Sequence, residues 1–247
     1  MDSLKQHFAA EGGGCASMLT AGASATVPLW KRMLDLTCIL LALPTLIPLM
    51  LLVAVIVKIG SRGSVIFKQE RVGLYGKRFT IYKFRTMVIG ASTAVHEEYL
   101  RRLIDSNRPM DKLDARGDSR VVPFGWWLRA TGLDELAQVI NVLRGDMSLV
   151  GPRPCLPSEH EKYQPWQNER FNTLPGLTGL WQVSGKNRTT FEEMIRLDIN
   201  YARNKSLWLD LKIILYTLPA LGMQIQDMRG GGQRRLSTIS RKPQRQT

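Results

Sequence analysis

From Met33 to Val57 the chain runs apolar for 25 residues, and Asp35 is the only charge among them. As a straight helix at about 1.5 Å per residue the run is roughly 37 Å long, and a membrane-crossing helix needs about 20 residues. A buried helix of a soluble domain would carry a polar stripe. None is visible here, so the pattern predicts membrane insertion. Pro44 and Pro48 fall mid-run, where each removes a backbone hydrogen bond and kinks the helix. Lys31 and Arg32 flank one end, Lys58 and Arg62 the other. Positive residues favour the cytoplasmic side, so two basic flanks give a crossing helix no orientation. A bent helix that enters and leaves on one face satisfies both flanks; a kinked single span is the alternative.

Beyond this run the pattern shortens. Residues 64–71 and 78–86 read as strands around Gly73 and Gly76, which predicts a hairpin. Lys68, Arg71, Lys77, Arg78, Lys83 and Arg85 make it basic, either toward anionic headgroups or as a solvated strand face. Residues 90–118 read as a mixed-charge surface helix followed by a loop. Phe124, Trp126, Trp127 and Leu128 suit either a membrane interface or a packed aromatic pair. Thr131 to Asp134 has the spacing of a capping box; Leu136, Val139, Ile140 and Leu143 then predict a buried helical face, stopped by Gly145. Residues 190–204 read as an amphipathic helix. The apolar stretch after Ser206 is broken by Asp210, Lys212 and Pro219, as in an interfacial or packed helix. The expected fold class is α+β, mainly helical, with amphipathic interfacial helices. It divides into a flexible arm unlike a signal peptide over 1–28, a membrane helix over 29–60, a folded domain over 61–228 and a disordered basic tail over 229–247.

Charge narrows the partners. The 247 residues hold 34 Lys and Arg against 21 Asp and Glu, a net +13, which suits nucleic acid, anionic headgroups or phosphorylated substrates. Cys15, Cys38 and Cys155 show no CxxC spacing, and His7, His96 and His160 no HExxH, which argues against a disulfide framework, a zinc site or a serine triad.

The chemistry concentrates in "TGLDELAQVINVLRGDMSLVGPRP". Capping alone accounts for two acids in a first helical turn. The same turn can bind phosphate and keep Asp134 ionised, as a carboxylate nucleophile requires. Arg129 lies five residues earlier. Pro152 and Pro154 stiffen the backbone about Arg153, whose fork suits bidentate phosphate contacts.

Here the chain resembles the bacterial sugar transferases, the monotopic polyprenyl-phosphate phosphoglycosyl transferases that initiate exopolysaccharide synthesis. The resemblance rests on "KRMLDL", "GSVIFKQERVGLYGKRFTIYKFRTM", "DSRVVPFGWWLR", "LDELAQVINVLRGDMSLVGPRP", "LPGLTGLWQVSGKN" and "DINYARNKSLWLDLKIIL", in the family's order over residues from about 31 to 219. It implies transfer of a hexose-1-phosphate from a UDP-sugar, UDP-glucose or UDP-galactose, to undecaprenyl phosphate at the cytoplasmic face of the bacterial inner membrane, releasing UMP. It implies that Asp134 is the nucleophile, that Glu135 helps hold Mg²⁺, and that Arg129 contacts phosphate. Arg153 between Pro152 and Pro154 takes the nucleotide side, and Asp198 falls in a matched block with a substrate-binding or structural role. Lys31, Arg32 and Asp35, with Pro44 and Pro48, match the membrane-insertion motif, which favours the re-entrant helix and makes 61–228 a cytoplasmic catalytic domain. Membrane phospholipid is an expected partner and nucleic acid is not; a homo-oligomer stays open. Two positions depart: Gly132 stands where the family has Ser or Thr, and Ala137 where it has Pro. The rival readings are a noncatalytic scaffold on this fold and a basic, membrane-anchored nucleic-acid-binding protein.

Overall fold

The computed structural model describes residues 27–61, 63–88, 90, 98, 102, 120–185 and 189–222. The expected tail and nearly all of the expected arm lie outside them. So does most of the 90–118 helix, of which Glu98 and Arg102 form an i,i+4 ion pair at 2.9 Å.

Helix α1, Leu29–Gly60, holds Pro44 and Pro48 in its interior. Among the described residues it is the one helix long and apolar enough to cross a membrane. Its burial is one-sided. Lys31, Asp35, Ile39, Val53 and Val57 are buried, with Leu43, Leu46 and Met50 partly so along the same stripe. Steps of three and four keep these residues on one helical face. Ile39 packs with Ile81, Val139, Val142 and Met147, and Val53 and Val57 with Phe84, Leu128 and Ala137. Both ends of α1 therefore rest on the same folded body. The opposite face leaves Leu40, Leu41, Leu51, Leu52 and Val55 exposed.

Strands β1 (Ile66–Val72) and β2 (Arg78–Phe84) form the expected antiparallel hairpin, Val72 facing Arg78. Helix α2, Gly125–Thr131, is capped by Gly132 at φ 72°. A 3₁₀ turn, Leu133–Gln138, then leads into α3, Val139–Arg144, ended by Gly145. The expected capping box does not form. Thr131 is the last residue of α2, and its Oγ1 donates to the Trp127 carbonyl at 2.9 Å. The expected buried face is also displaced: Ala137, Gln138, Val139, Asn141 and Val142 are buried, while Ile140 and Leu143 are exposed. The 3₁₀ turn advances three residues per turn rather than 3.6, so one continuous helical wheel loses phase at Gln138. Phe124, Trp126 and Trp127 are exposed and only Leu128 is buried, which removes the packed-pair reading.

Strand β3, Ser148–Val150, pairs in parallel with β4, Gly176–Thr178. Between them lie α4, Pro157–His160, and a 3₁₀ turn, Pro165–Phe171. After β4 come α5 (Leu180–Val183), α6 (Phe191–Asn204), capped by a Thr190–Glu193 box, and α7 over residues 207–222. Val150, Leu180, Val183, Tyr201, Leu209 and Ile213 close the core beneath this pair. Leu207, Trp208, Leu215 and Leu218 of α7 remain exposed. The architecture is mainly helical with two small sheets.

Candidate active site

The hairpin is docked by one buried amide. Asn141 of α3 accepts from the Tyr82 N–H at 3.1 Å through Oδ1 and donates to the Thr80 carbonyl at 2.7 Å through Nδ2. This fixes β2 against the 3₁₀ turn and brings Lys83 Nζ to 2.7 Å from Glu135 Oε1. A cleft opens between hairpin, turn and the loop after β3. Its lining includes the polar side chains of Arg71, Lys83, Glu135, Gln138, Arg153 and Gln182, together with Pro154. Three cations face one carboxylate there, a wall suited to a polyanion.

Asp134 is partly buried next to Glu135. Its carboxyl is raised to about 6, by burial first and then by Glu135, against the pull of Lys83 and Arg129. The sequence reading has the turn helping to keep Asp134 ionised; burial and the neighbouring acid work against that charge. Lys83, Arg129 and a backbone hydrogen bond are what favour its carboxylate.

The loop bearing Arg153 is held by backbone contact. Pro152 is buried and its carbonyl accepts from Gly176 N at 2.9 Å; Gly151 N donates to Thr178 O at 2.9 Å. A Cβ on Gly176 would sit 2.1 Å from Gly151 N, so only glycine permits this approach. Of the two readings of Asp198, substrate-binding gives way to structural: it is 1% exposed and paired with Arg170. Arg170 also donates to the Arg153 carbonyl at 2.9 Å. Burial alone would lower the Arg170 guanidinium, but Tyr163 and Asp198 lift it above the ordinary arginine range. Asp198 thus supports the loop from behind the cleft.

Lys31 and Asp35 also sit in unexpected surroundings. Lys31 Nζ lies 2.6 Å from Asp210 Oδ2, 2.8 Å from Tyr201 OH and 2.8 Å from the Val150 carbonyl. Asp35 Oδ1 accepts from Ser148 Oγ and Leu149 N, each at 2.9 Å. Arg32 donates to the Val142 and Leu143 carbonyls at the end of α3. The basic flank of α1 is a buried clasp on β3, α3 and α7. Two cleft residues were read in the sequence as surface charges: Arg71 is buried and Lys83 is engaged with Glu135. The one available signal was their place on strands flanking a predicted turn.

Among the described residues there is no cluster of three or more His, Cys, Asp or Glu side chains. Mg²⁺ takes one or two carboxylates when phosphates and water complete its shell. The adjacent Asp134 and Glu135 carboxylates fit that donor chemistry.

A model of the bacterial sugar transferase family matches residues 26–224. Galactosyl transferase CpsE of Streptococcus agalactiae is 44% identical over 193 residues, covering 76% of this chain and 41% of the relative. Exopolysaccharide production protein ExoY of Rhizobium meliloti is 40% identical over 194 residues, 77% of this chain and 84% of the relative. The UDP-glucose:undecaprenyl-phosphate glucose-1-phosphate transferase of Caulobacter vibrioides is 41% identical over 203 residues, 79% and 70%. The chain therefore spans under half of CpsE but most of ExoY.

Proposed function

The chain belongs to the bacterial sugar transferase family, and from that premise we propose that it moves a hexose-1-phosphate from a UDP-sugar to undecaprenyl phosphate and releases UMP. UDP-glucose and UDP-galactose are the donors in view, because relatives are named for glucose and for galactose transfer. The observation that carries the reading is the cleft itself. Glu135 stands on a wall with Lys83, Arg71 and Arg153, with Asp134 its neighbour in the same turn, on the body to which both ends of an apolar helix are fastened. A phosphorylated lipid and a charged nucleotide sugar can meet only at such a boundary.

In the proposed reaction an Asp134 oxygen attacks the phosphorus bonded to the sugar oxygen. The bond to the bridging oxygen breaks and its electron pair leaves on UMP. A terminal oxygen of undecaprenyl phosphate then attacks the same phosphorus, and Asp134 departs as a carboxylate. Each half is an easier displacement than the direct exchange. Arg153 and Arg71 hold diphosphate charge, while Arg129, whose charge with that of Lys83 favours the Asp134 carboxylate, meets the transferred phosphoryl. Lys83 keeps Glu135 oriented and favours the Asp134 carboxylate. Mg²⁺, held by Glu135 beside Asp134, would supply neutralisation of the diphosphate charge when bound.

The membrane reading is a re-entrant α1 with the folded domain on the cytoplasmic face of the inner membrane. It is supported by the contact of both helix ends with one body. Exposed Phe124, Trp126, Trp127, Trp208 and Leu215 suit a surface lying at the headgroup level.

The test is UMP release by purified protein with Mg²⁺, undecaprenyl phosphate and either UDP-sugar. Native protein should release UMP and give an acid-labile phosphosugar adduct on Asp134 by mass spectrometry. Asp134→Asn should lose both, by at least about 10³-fold in rate for a missing nucleophile. Undiminished release by the variant removes Asp134 from the mechanism.

A further inference from the structure

Arg153 projects into the cleft with its side chain 28% exposed, and a flexible guanidinium there needs something to aim it. A cation that shares the cleft works against order. Arg71, at the end of β1, is buried and donates to the Pro154 carbonyl at 3.2 Å and to Gln69 Oε1 at 2.7 Å. Burial first and Arg153 second lower Arg71 to about 10, so the two guanidiniums repel. Behind them lies Glu159 of α4, 2% exposed. Its Oε2 is 3.9 Å from Arg153 Nη1 and has no hydrogen-bond partner among the described residues. Its Oε1 accepts from Tyr163 OH at 2.7 Å. Burial alone would raise this carboxyl, but Arg153, Arg170, Tyr163 and Arg71 hold it below the ordinary range. Tyr163 OH accepts from Arg170 Nη1 at 2.6 Å, and Arg170 Nη2 donates to the Arg153 carbonyl. Backbone and side chain of Arg153 are thus held by one buried relay, Asp198–Arg170–Tyr163–Glu159. Glu159 itself is not part of the cleft lining.

We propose that Glu159 is a positioning residue for anion capture: from behind the cleft it holds the Arg153 guanidinium against the repulsion of Arg71, and so sets affinity for the diphosphate of the nucleotide donor. This rests on the reading of the cleft as the nucleotide-sugar site. The alternative role, a counter-charge that merely dilutes positive potential, predicts the opposite sign. Removing a carboxylate that only dilutes potential tightens anion binding; removing one that aims the guanidinium weakens it.

The experiment measures the Kd of UDP by calorimetry on full-length detergent-purified protein, alongside KM and kcat for UMP release. Glu159→Gln keeps shape and the acceptor for Tyr163 while deleting the charge. Kd and KM should rise roughly tenfold, the scale of one charge-assisted contact, with kcat falling less. In an Arg153→Ala background the same change should add less than about twofold, because its target is gone. Tyr163→Phe should shift Kd in the same direction by a smaller factor, and it decides the matter if Glu159→Gln does not fold. UDP binding unchanged or tighter in Glu159→Gln, or an equal loss in the Arg153→Ala background, overturns the proposal. Native protein that binds UDP but releases no UMP would sink the transfer reading alone, with the Kd series still deciding the role of Glu159. Native protein that binds no UDP sinks both.

Discussion

At the scale of single residues, two positions show how local physics and function part company. Gly132 departs from the family's Ser or Thr, and the structure gives a reason: its φ is 72°, and it turns α2 into the 3₁₀ segment that carries Asp134. A Cβ there would meet only Leu221, at 3.8 Å, so space is not the issue. Gly132→Ala should cost about 1 kcal/mol, from the left-handed conformation alone, and Gly132→Asn less; thermal unfolding of the two variants checks the order. Lys31 is the opposite case. It reads in the sequence as a positive flank of the membrane segment, but it is 1% exposed against Asp210 at 0%. Lys31→Met should leave Asp210 buried and unpaired, costing about 3–5 kcal/mol, and Lys31→Met with Asp210→Leu should recover part of that in denaturant titrations. Charge type was legible from the sequence at both ends of this pair. Their meeting was not, because 179 positions separate them and no periodicity links them.

At the scale of elements, the hairpin and the amphipathic α6 were legible because each has a local signature: turn glycines between strand-like runs, and a Thr190–Glu193 capping box before a helical pattern. The segment around Asp134 was not, since a 3₁₀ turn and an α-helix share composition and differ only in phase. That phase error hid Asn141, the residue that joins hairpin to site. Asn141→Ala leaves the Tyr82 N–H and Thr80 carbonyl without these partners, at a cost of about 1–3 kcal/mol for buried groups. It should also release Lys83 from Glu135, so kcat for UMP release should fall more than stability alone would explain; comparing kcat with the folded fraction, by circular dichroism at the assay temperature, tests this. The glycine contacts of β3 and β4 are illegible for a different reason. "GPRP" and "LPGLTG" carry no strand alternation, and only their approach shows why Gly151 and Gly176 carry no side chain.

At the scale of the whole molecule, the question is where α1 lies relative to the bilayer. From Lys31 to Val57 is 26 residue steps, or roughly 39 Å of helix, and the contact stripe runs that full length. A crossing helix would carry one end about 30 Å through hydrocarbon. Either the Lys31–Asp210 clasp or the Val53–Val57 packing would then be lost. Losing the first strands a buried charge; losing the second exposes a core shared with Phe84, Leu128 and Ala137, next to the site. Neither loss is offset, because the exposed face of α1 already meets lipid in the re-entrant arrangement. Single cysteines at Leu29 and Ser61, in a background with Cys15, Cys38 and Cys155 replaced by serine or alanine, should both react with an impermeant maleimide in inverted inner-membrane vesicles, and neither in intact spheroplasts. Labelling of one flank from each side would mean that the clasp opens in the membrane. The cleft would then lose the β3 anchorage that aligns the Arg153 loop with Asp134.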